Sequence, residues 1–446
     1  MNEPKADKAD LILTGRYLLT MDQNQTLVEE GGVAIGGDSI LAVGKADDLL
    51  ARYSGATVIA EPHGLIIPGL VNVHTHAAMS LFRGLADDLP LMRWLQDYIF
   101  PVEASLTGEQ VYQGTLLSIC EMIKSGTTSF CDMYLFAGDV ARAASEAGIR
   151  SWIGEVLYDF PSPHYGELEN GFAYARNLLD RYRNHPLISI TLDPHAVYTC
   201  SPELLTRLGA MAREEGALYV IHLAENEEEV RTCRERYGRT PVEHLESLGL
   251  LGPHVVAGHC VMLTGAEIGL LAKRGVKVAH CPESNLKLAS GIAPVVQMLQ
   301  AGITVGIGTD GSASNNDVDM FGEMNTTAKI HKVDRMDPTA MSAATTLHAA
   351  TMGGARVLSA EHLIGSLEPG KKADCIVLDL DQPHLTPLYH PVSHLVYAAR
   401  GSDVIHSVIN GRLVMRNRRL LTLDEAAILA RAAEIGAGFH QDRNGG

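Results

Sequence analysis

The chain is short of three things, and each shortage excludes a class of function. Its seven cysteines, at positions 120, 131, 200, 233, 260, 281 and 375, include no C-x-x-C pair, which argues against a Cys-rich structural zinc site. An odd count in a large chain points to reduced thiols in a cytosolic protein instead of a disulfide framework. No apolar run approaches the roughly 18 to 20 residues that a membrane helix needs, and the polar stretch Met1–Asp10 has no hydrophobic leader region. Positive charge is also scarce. Lys and Arg number 36 against 53 Asp and Glu, a net charge of -17, and such a surface repels phosphate backbones. The expectation is a soluble, cytoplasmic protein with neither a nucleic-acid nor a membrane partner.

What is present is an ordinary globular composition, 46% hydrophobic and 20% charged over 446 residues, enough for one large α/β domain and something smaller. Both ends read as short strands. Leu11–Leu13, Val33–Ile35, Ile40–Val43, Thr57–Ala60 and Leu65–Ile67 lie at one end; Asp374–Leu378, Val404–Ile409 and Leu413–Met415 at the other. Gly36-Gly37-Asp38 and Asn410-Gly411 are hairpin signals. Asp424–Ala437 has helical composition. Between the ends, eight apolar strands recur, each before a helical stretch: 71–76, 127–133, 150–157, 188–195, 218–225, 255–260, 277–281 and 304–310. This pattern predicts an α/β fold, a (β/α)8 TIM-type barrel (68–364) with a small β-sandwich domain built from both termini (1–67 and 365–446). An open doubly wound sheet has less support, because no Gly-rich phosphate fingerprint follows the first strand.

Several of these strands run apolar and then end in a potential ligand or proton carrier: His74-Thr75-His76, His195, His222, His259 and Asp310. His74 and His76, two apart on a strand, point to the same face. With His222 and Asp310 they form three imidazoles and a carboxylate, a set that suits one divalent ion: Zn²⁺ first, with Fe²⁺ or Mn²⁺ as alternatives. Such an ion makes hydroxide available near neutral pH, and Asp310 is placed to take the water's proton. Glu225, three residues after His222, is the candidate general acid, and His259 can orient the attacking oxygen. Glu227, Glu228 and Glu229 are read as solvated loop residues.

Pro68–His76, His222-Leu223-Ala224-Glu225, Gly258-His259 and Gly308–Gly311 together resemble the amidohydrolase superfamily, in the right order over nearly the whole chain. Members with two metals bridge them through a fourth-strand lysine. Residues 188–196 contain no lysine and offer His195, which implies the mononuclear subgroup that deaminates aromatic bases. The separate zinc deaminase signature with P-C-x-x-C is absent. Within the superfamily, Met92–Leu95 and Phe100–Glu103 are similar to the nucleoside lid of the 5′-methylthioadenosine/S-adenosylhomocysteine deaminases. That resemblance implies a thioether-side wall at Trp94, ribose hydrogen bonds at Glu103 and a nucleoside contact at His195. His280 and Asn285 are read as structural, and His331, His348, His384, His390, His394 and His406 receive no role. Some members use a third-strand arginine for the homocysteine carboxylate; the aligned position here is Glu155, an acid that would repel it.

The implied reaction is hydrolytic deamination of an adenine nucleoside by metal-activated hydroxide. Its partners are a small nucleoside substrate and water, and a homo-oligomer is left open. The alternatives are the same chemistry on guanine, cytosine or a triazine, and a non-catalytic scaffold. Glu103 distinguishes the first alternative, since a free base has no ribose for it to hold.

Overall fold

A computed structural model describes residues 7–444, so most of the polar opening stretch, Met1–Ala6, lies outside the described residues. Eight parallel barrel strands follow one another in chain order. They are Leu70–Thr75, Thr127–Tyr134, Arg150–Leu157, a fourth in two pieces (Ile188–Ile190 and Asp193–Pro194), Tyr219–Leu223, Val255–His259, Lys277–His280 and Val305–Ile307. All residues of the first three strands are buried, as expected where helices cover one face of a parallel sheet and the packed barrel interior lies on the other.

The first four strands pair as one parallel ladder and the last four as another. Isolated bridges from Leu192 to Tyr219 and from Ala196 to His222 join strand four to strand five. At the other seam the Asp310 N–H donates to the His74 carbonyl at 2.9 Å. Here too the Asn72 amide donates to the Thr309 hydroxyl at 2.8 Å. The approach demands Gly308, because a Cβ there would sit 2.8 Å from the backbone N and O of His74. The ring is thus closed at the place where His74 and Asp310 are required side by side.

The terminal segments build a short two-stranded ladder, Asp7–Lys8 with Tyr53–Ser54, and one eight-stranded sheet. Its order is Arg419–Leu420, Arg412–Arg416, Val404–Ile409, Cys375–Asp379, Thr57–Pro68, Leu11–Leu19, Leu27–Gly36 and Ser39–Lys45. Asn410 and Gly411 both have positive φ, as a two-residue type I′ hairpin requires. Leu13, Val33, Ile66, Val377 and Val408 share one apolar cluster within it. A buried tie runs from this sheet to the barrel: Arg150, at the start of strand three, donates to Asp374 at 2.7 Å and to Asn410 at 3.0 Å.

Outside the barrel, the helix Glu425–Asn444 packs Phe439 edge-on against Phe82. The segment expected as a lid is one helical run of three parts, Leu91–Trp94, a π turn Leu95–Ile99, and Phe100–Glu103. Nine residues of regular α-helix would place Trp94 and Glu103 on roughly opposite sides. The wider π turn underwinds the run, and both side chains line the same cavity. Among the described residues, no helix is long and apolar enough to cross a membrane.

Candidate active site and metal centre

The carboxyl ends of strands one, five, six and eight converge on one point. His74 is fully buried, with its ring centroid 4.9 Å from His76, 5.0 Å from His222 and 5.5 Å from His259. Asp310 Oδ1 lies 3.1 Å from His76 Nε2 and 3.6 Å from His74 Nε2. Ligand atoms of His74, His76 and Asp310 fall within 4.8 Å of one another, as do those of His74, His222 and His259. All four residues expected as ligands are therefore brought together, and His259 stands with them.

Two observations fit this group to a divalent cation. Both ring nitrogens of His74 are buried without a hydrogen-bond partner, which is costly unless a ligand takes the lone pair. Around it, His76 Nδ1 lies 2.6 Å from the Met133 carbonyl and His222 Nδ1 lies 2.9 Å from the His195 carbonyl. Donation of those N–H groups leaves each Nε2 as a lone-pair donor, the usual orientation of a metal-ligating imidazole.

The backbone is strained where the chemistry sits. Ala224, His259, Cys260 and Asp310, just beyond or at the ends of strands five, six and eight, all have φ between 50° and 66°. Non-glycine residues in this region cost on the order of 1–3 kcal/mol each and cluster at functional sites. Electrostatics separates the acids. Burial alone would raise Asp310, but His76, His259 and His74 hold it well below the usual carboxylate range. Burial raises Glu225, with His259 partly opposing it. Burial lowers His195 to about 3, so its ring is neutral.

A cavity opens on this centre. Glu225, His195 and Asp310 line it together with Trp94, Glu103 and Tyr134. Glu103 accepts from the Tyr134 hydroxyl at 2.8 Å, and burial raises its pKa to about 7. Trp94 both lines the cavity and anchors the lid, donating its indole N–H to the Ala86 carbonyl at 3.1 Å. His195 Nδ1 lies 2.8 Å from the Thr199 hydroxyl, so its Nε2 is left for the cavity. Phe160, stacked on Tyr158 at 3.9 Å, joins Phe100 and Leu95 toward the mouth.

Three sequence readings are changed. Glu155 does not face the cavity: it accepts from the Ala137 N–H at 2.7 Å, at the start of the helix Ala137–Ala147, and lies 2.9 Å from His164 Nδ1. Its neighbour Val156 lines the cavity instead, as strand alternation dictates. Glu229 is not a solvated loop residue; only 2% exposed, it accepts from the N–H groups of Ala224 and Glu225. Asn285 is more than packing, because its Oδ1 lies 2.9 Å from His259 Nδ1 and fixes that ring. The sequence reading also missed Ser284 and Ser314, whose hydroxyls donate to Asp310 Oδ2 at 2.6 and 3.0 Å, and Tyr134. Ser284 directly precedes Asn285, which the sequence already singles out as structural, and that was the signal available.

The sequence profile of the amidohydrolase family matches residues 65–414. Over 430 residues the chain is 55% identical to the 5-methylthioadenosine/S-adenosylhomocysteine deaminase of Syntrophobacter fumaroxidans, covering 96% of this chain and 98% of that one. It is 43% identical over 426 residues to the 5′-deoxyadenosine deaminase of Methanosarcina mazei, covering 95% and 97%. Among solved structures, an adenosine deaminase from Xanthomonas campestris with bound zinc superposes with a TM-score of 0.95 at 41% identity, over 96% of this chain and 98% of that one.

Proposed function

The chain belongs to the amidohydrolase family and is a metal-dependent hydrolytic deaminase; on that premise we propose that it converts 5′-modified adenosines to the inosine analogues and ammonia. The observation that carries this reading is the cavity itself. It gathers a metal-fitting donor set and the Glu225 carboxyl together with an indole and a hydrogen-bonded carboxylate suited to ribose hydroxyls. We assign residues 68–364 to the catalytic barrel and residues 1–67 and 365–446 to the supporting β domain.

His74, His76, His222 and Asp310 hold the ion, which we take as zinc, because the donor set is borderline in softness and the Xanthomonas structure carries zinc. When bound, the ion supplies Lewis acidity that brings the pKa of water near neutrality. Asp310 accepts the proton of that water. Glu225 gives a proton to N1 as oxygen adds at C6, the proton held by Asp310 leaves with the amino group as ammonia, and the remaining hydroxyl proton returns to Glu225 as the C6 carbonyl forms. His259, its Nδ1 fixed by Asn285, presents Nε2 to the oxygen on C6. His195 contacts the purine, Glu103 accepts from the ribose hydroxyls, and Trp94 flanks the 5′ side.

Among the described residues no Lys or Arg lines the cavity, and its mouth is aromatic. Uncharged 5′ groups, as in methylthioadenosine and 5′-deoxyadenosine, are therefore preferred to the zwitterionic homocysteine tail. This rests on the apolar mouth and not on repulsion by Glu155. Seven buried free thiols support a reducing, cytoplasmic setting. The test is a panel of 5′-modified adenosines assayed with zinc-loaded protein for loss of adenine absorbance and release of ammonia. No turnover of any member would overturn the assignment; kcat/KM for S-adenosylhomocysteine equal to that for methylthioadenosine would overturn the preference.

A further inference from the structure

The helix Glu227–Tyr237 starts from Asn226, whose side chain accepts the Glu229 N–H at 2.8 Å. A capping residue followed three positions later by Glu or Gln recurs at Thr107/Gln110, Thr240/Glu243 and Thr264/Glu267. In those three helices the second side chain turns back to the backbone N–H of the capping residue itself, closing a capping box. Glu229 has the same spacing and does something else. Its Oε1 accepts from the Ala224 N–H at 3.0 Å and its Oε2 from the Glu225 N–H at 2.8 Å.

One buried carboxylate therefore clamps two successive amides just past strand five, where Ala224 adopts φ of 52°. The carbonyl side of the same turn is held from strand six: Cys260 N–H donates to Leu223 at 3.1 Å and Met262 N–H to Ala224 at 2.8 Å. Helix initiation needs none of this, because Asn226 already caps the helix. What the clamp does set is the backbone from which the Glu225 side chain enters the cavity, and a proton donor must be held within about 0.5 Å of its productive position.

We infer that Glu229 is a positioning residue for Glu225, holding the left-handed turn that aims the Glu225 carboxyl at the substrate ring. The inference rests on the reading of Glu225 as the proton donor. The test compares Glu229→Gln, Glu225→Gln and the double variant in zinc-loaded protein, with metal content measured in each. Glutamine keeps the volume of Glu229, but its NH2 meets one of the two N–H groups, so half the clamp becomes donor against donor. Circular dichroism confirms that each variant is folded, and Glu227→Gln, on an exposed neighbour, is the control that retains wild-type kinetics.

Glu225→Gln is expected to lower kcat by roughly 10²- to 10⁴-fold, the range for loss of a general acid. Glu229→Gln is expected to lower kcat about 10-fold or more, with KM within about twofold and zinc retained, since only the proton transfer is misaligned. The double variant should match Glu225→Gln within about threefold, because a clamp acting through Glu225 has nothing left to position. Wild-type kcat in Glu229→Gln, losses that multiply in the double variant, or loss of zinc from Glu229→Gln would each overturn the inference. Near-normal turnover by Glu225→Gln would instead overturn the proton-donor reading on which it stands.

Discussion

The floor and the mouth of the cavity are built on opposite plans. At the floor, Asp310 is gripped by Ser284 and Ser314, His259 by Asn285, and His76 and His222 by backbone carbonyls. At the mouth, Phe160, Tyr158 and Phe100 present ring faces and edges, and the main polar anchor is Glu103 with Tyr134. Hydrogen bonds are directional and expensive to leave unmade in a buried site, so the floor specifies one geometry. Apolar contact is not directional, so the mouth can accept a range of 5′ groups. On the proposed function, chemistry is confined to one end and tolerance to the other.

The largest test of that contrast acts on the floor. Stripping the ion with a chelator should lower kcat/KM by about a thousandfold or more, with recovery on adding zinc; turnover untouched by chelation would remove the floor's role. Next comes the polar anchor at the mouth. Glu103→Ala should cost roughly 10- to 100-fold in kcat/KM for nucleosides, the loss of hydrogen bonds to a charged group, while any weak turnover of free adenine stays unchanged. An equal loss on both substrates would show that Glu103 serves the floor instead.

The third test is pH. With its pKa raised to about 7 by burial, Glu103 is protonated as pH falls below 7 and can no longer accept both ribose hydroxyls. Only the ionised fraction then binds, so the apparent Kd of an unreactive nucleoside should rise about tenfold between pH 8 and pH 6. Glu103→Gln should flatten that slope, and a slope that survives the substitution belongs to another group. The smallest effect is apolar. Phe160→Ala should raise KM for methylthioadenosine about 3- to 10-fold through lost aromatic contact and leave kcat alone; a fall in kcat would mean that mouth and floor are coupled.

Much of the site was legible because its signals are local. His74 and His76 share a face by strand alternation, and Asp310 and His222 end apolar strands whose number already implied a closed barrel. Hairpin chemistry at Asn410-Gly411 located a turn with no reference to the rest of the chain. Glu155 misled for an equally local reason: one step along a strand reverses the face, so Glu155 turns away from the cavity that Val156 lines.

The residues that only the fold revealed are those whose partners lie far away in the chain. Glu103 and Tyr134 are 31 positions apart, Asn285 and His259 are 26 apart, and Ser284 and Asp310 are 26 apart. Glu229 is close to Glu225, yet a cluster of acids near a helix start reads as solvent-facing until burial is seen. By itself, then, the sequence determined the barrel and pointed to the candidate donors at its strand ends, because periodicity and residue type act over a few neighbours, while its family resemblance implied the class of reaction. Only the tertiary structure decided which side chains orient those donors and what lines the mouth, because a hydrogen bond between distant loops depends on where the closed barrel brings them.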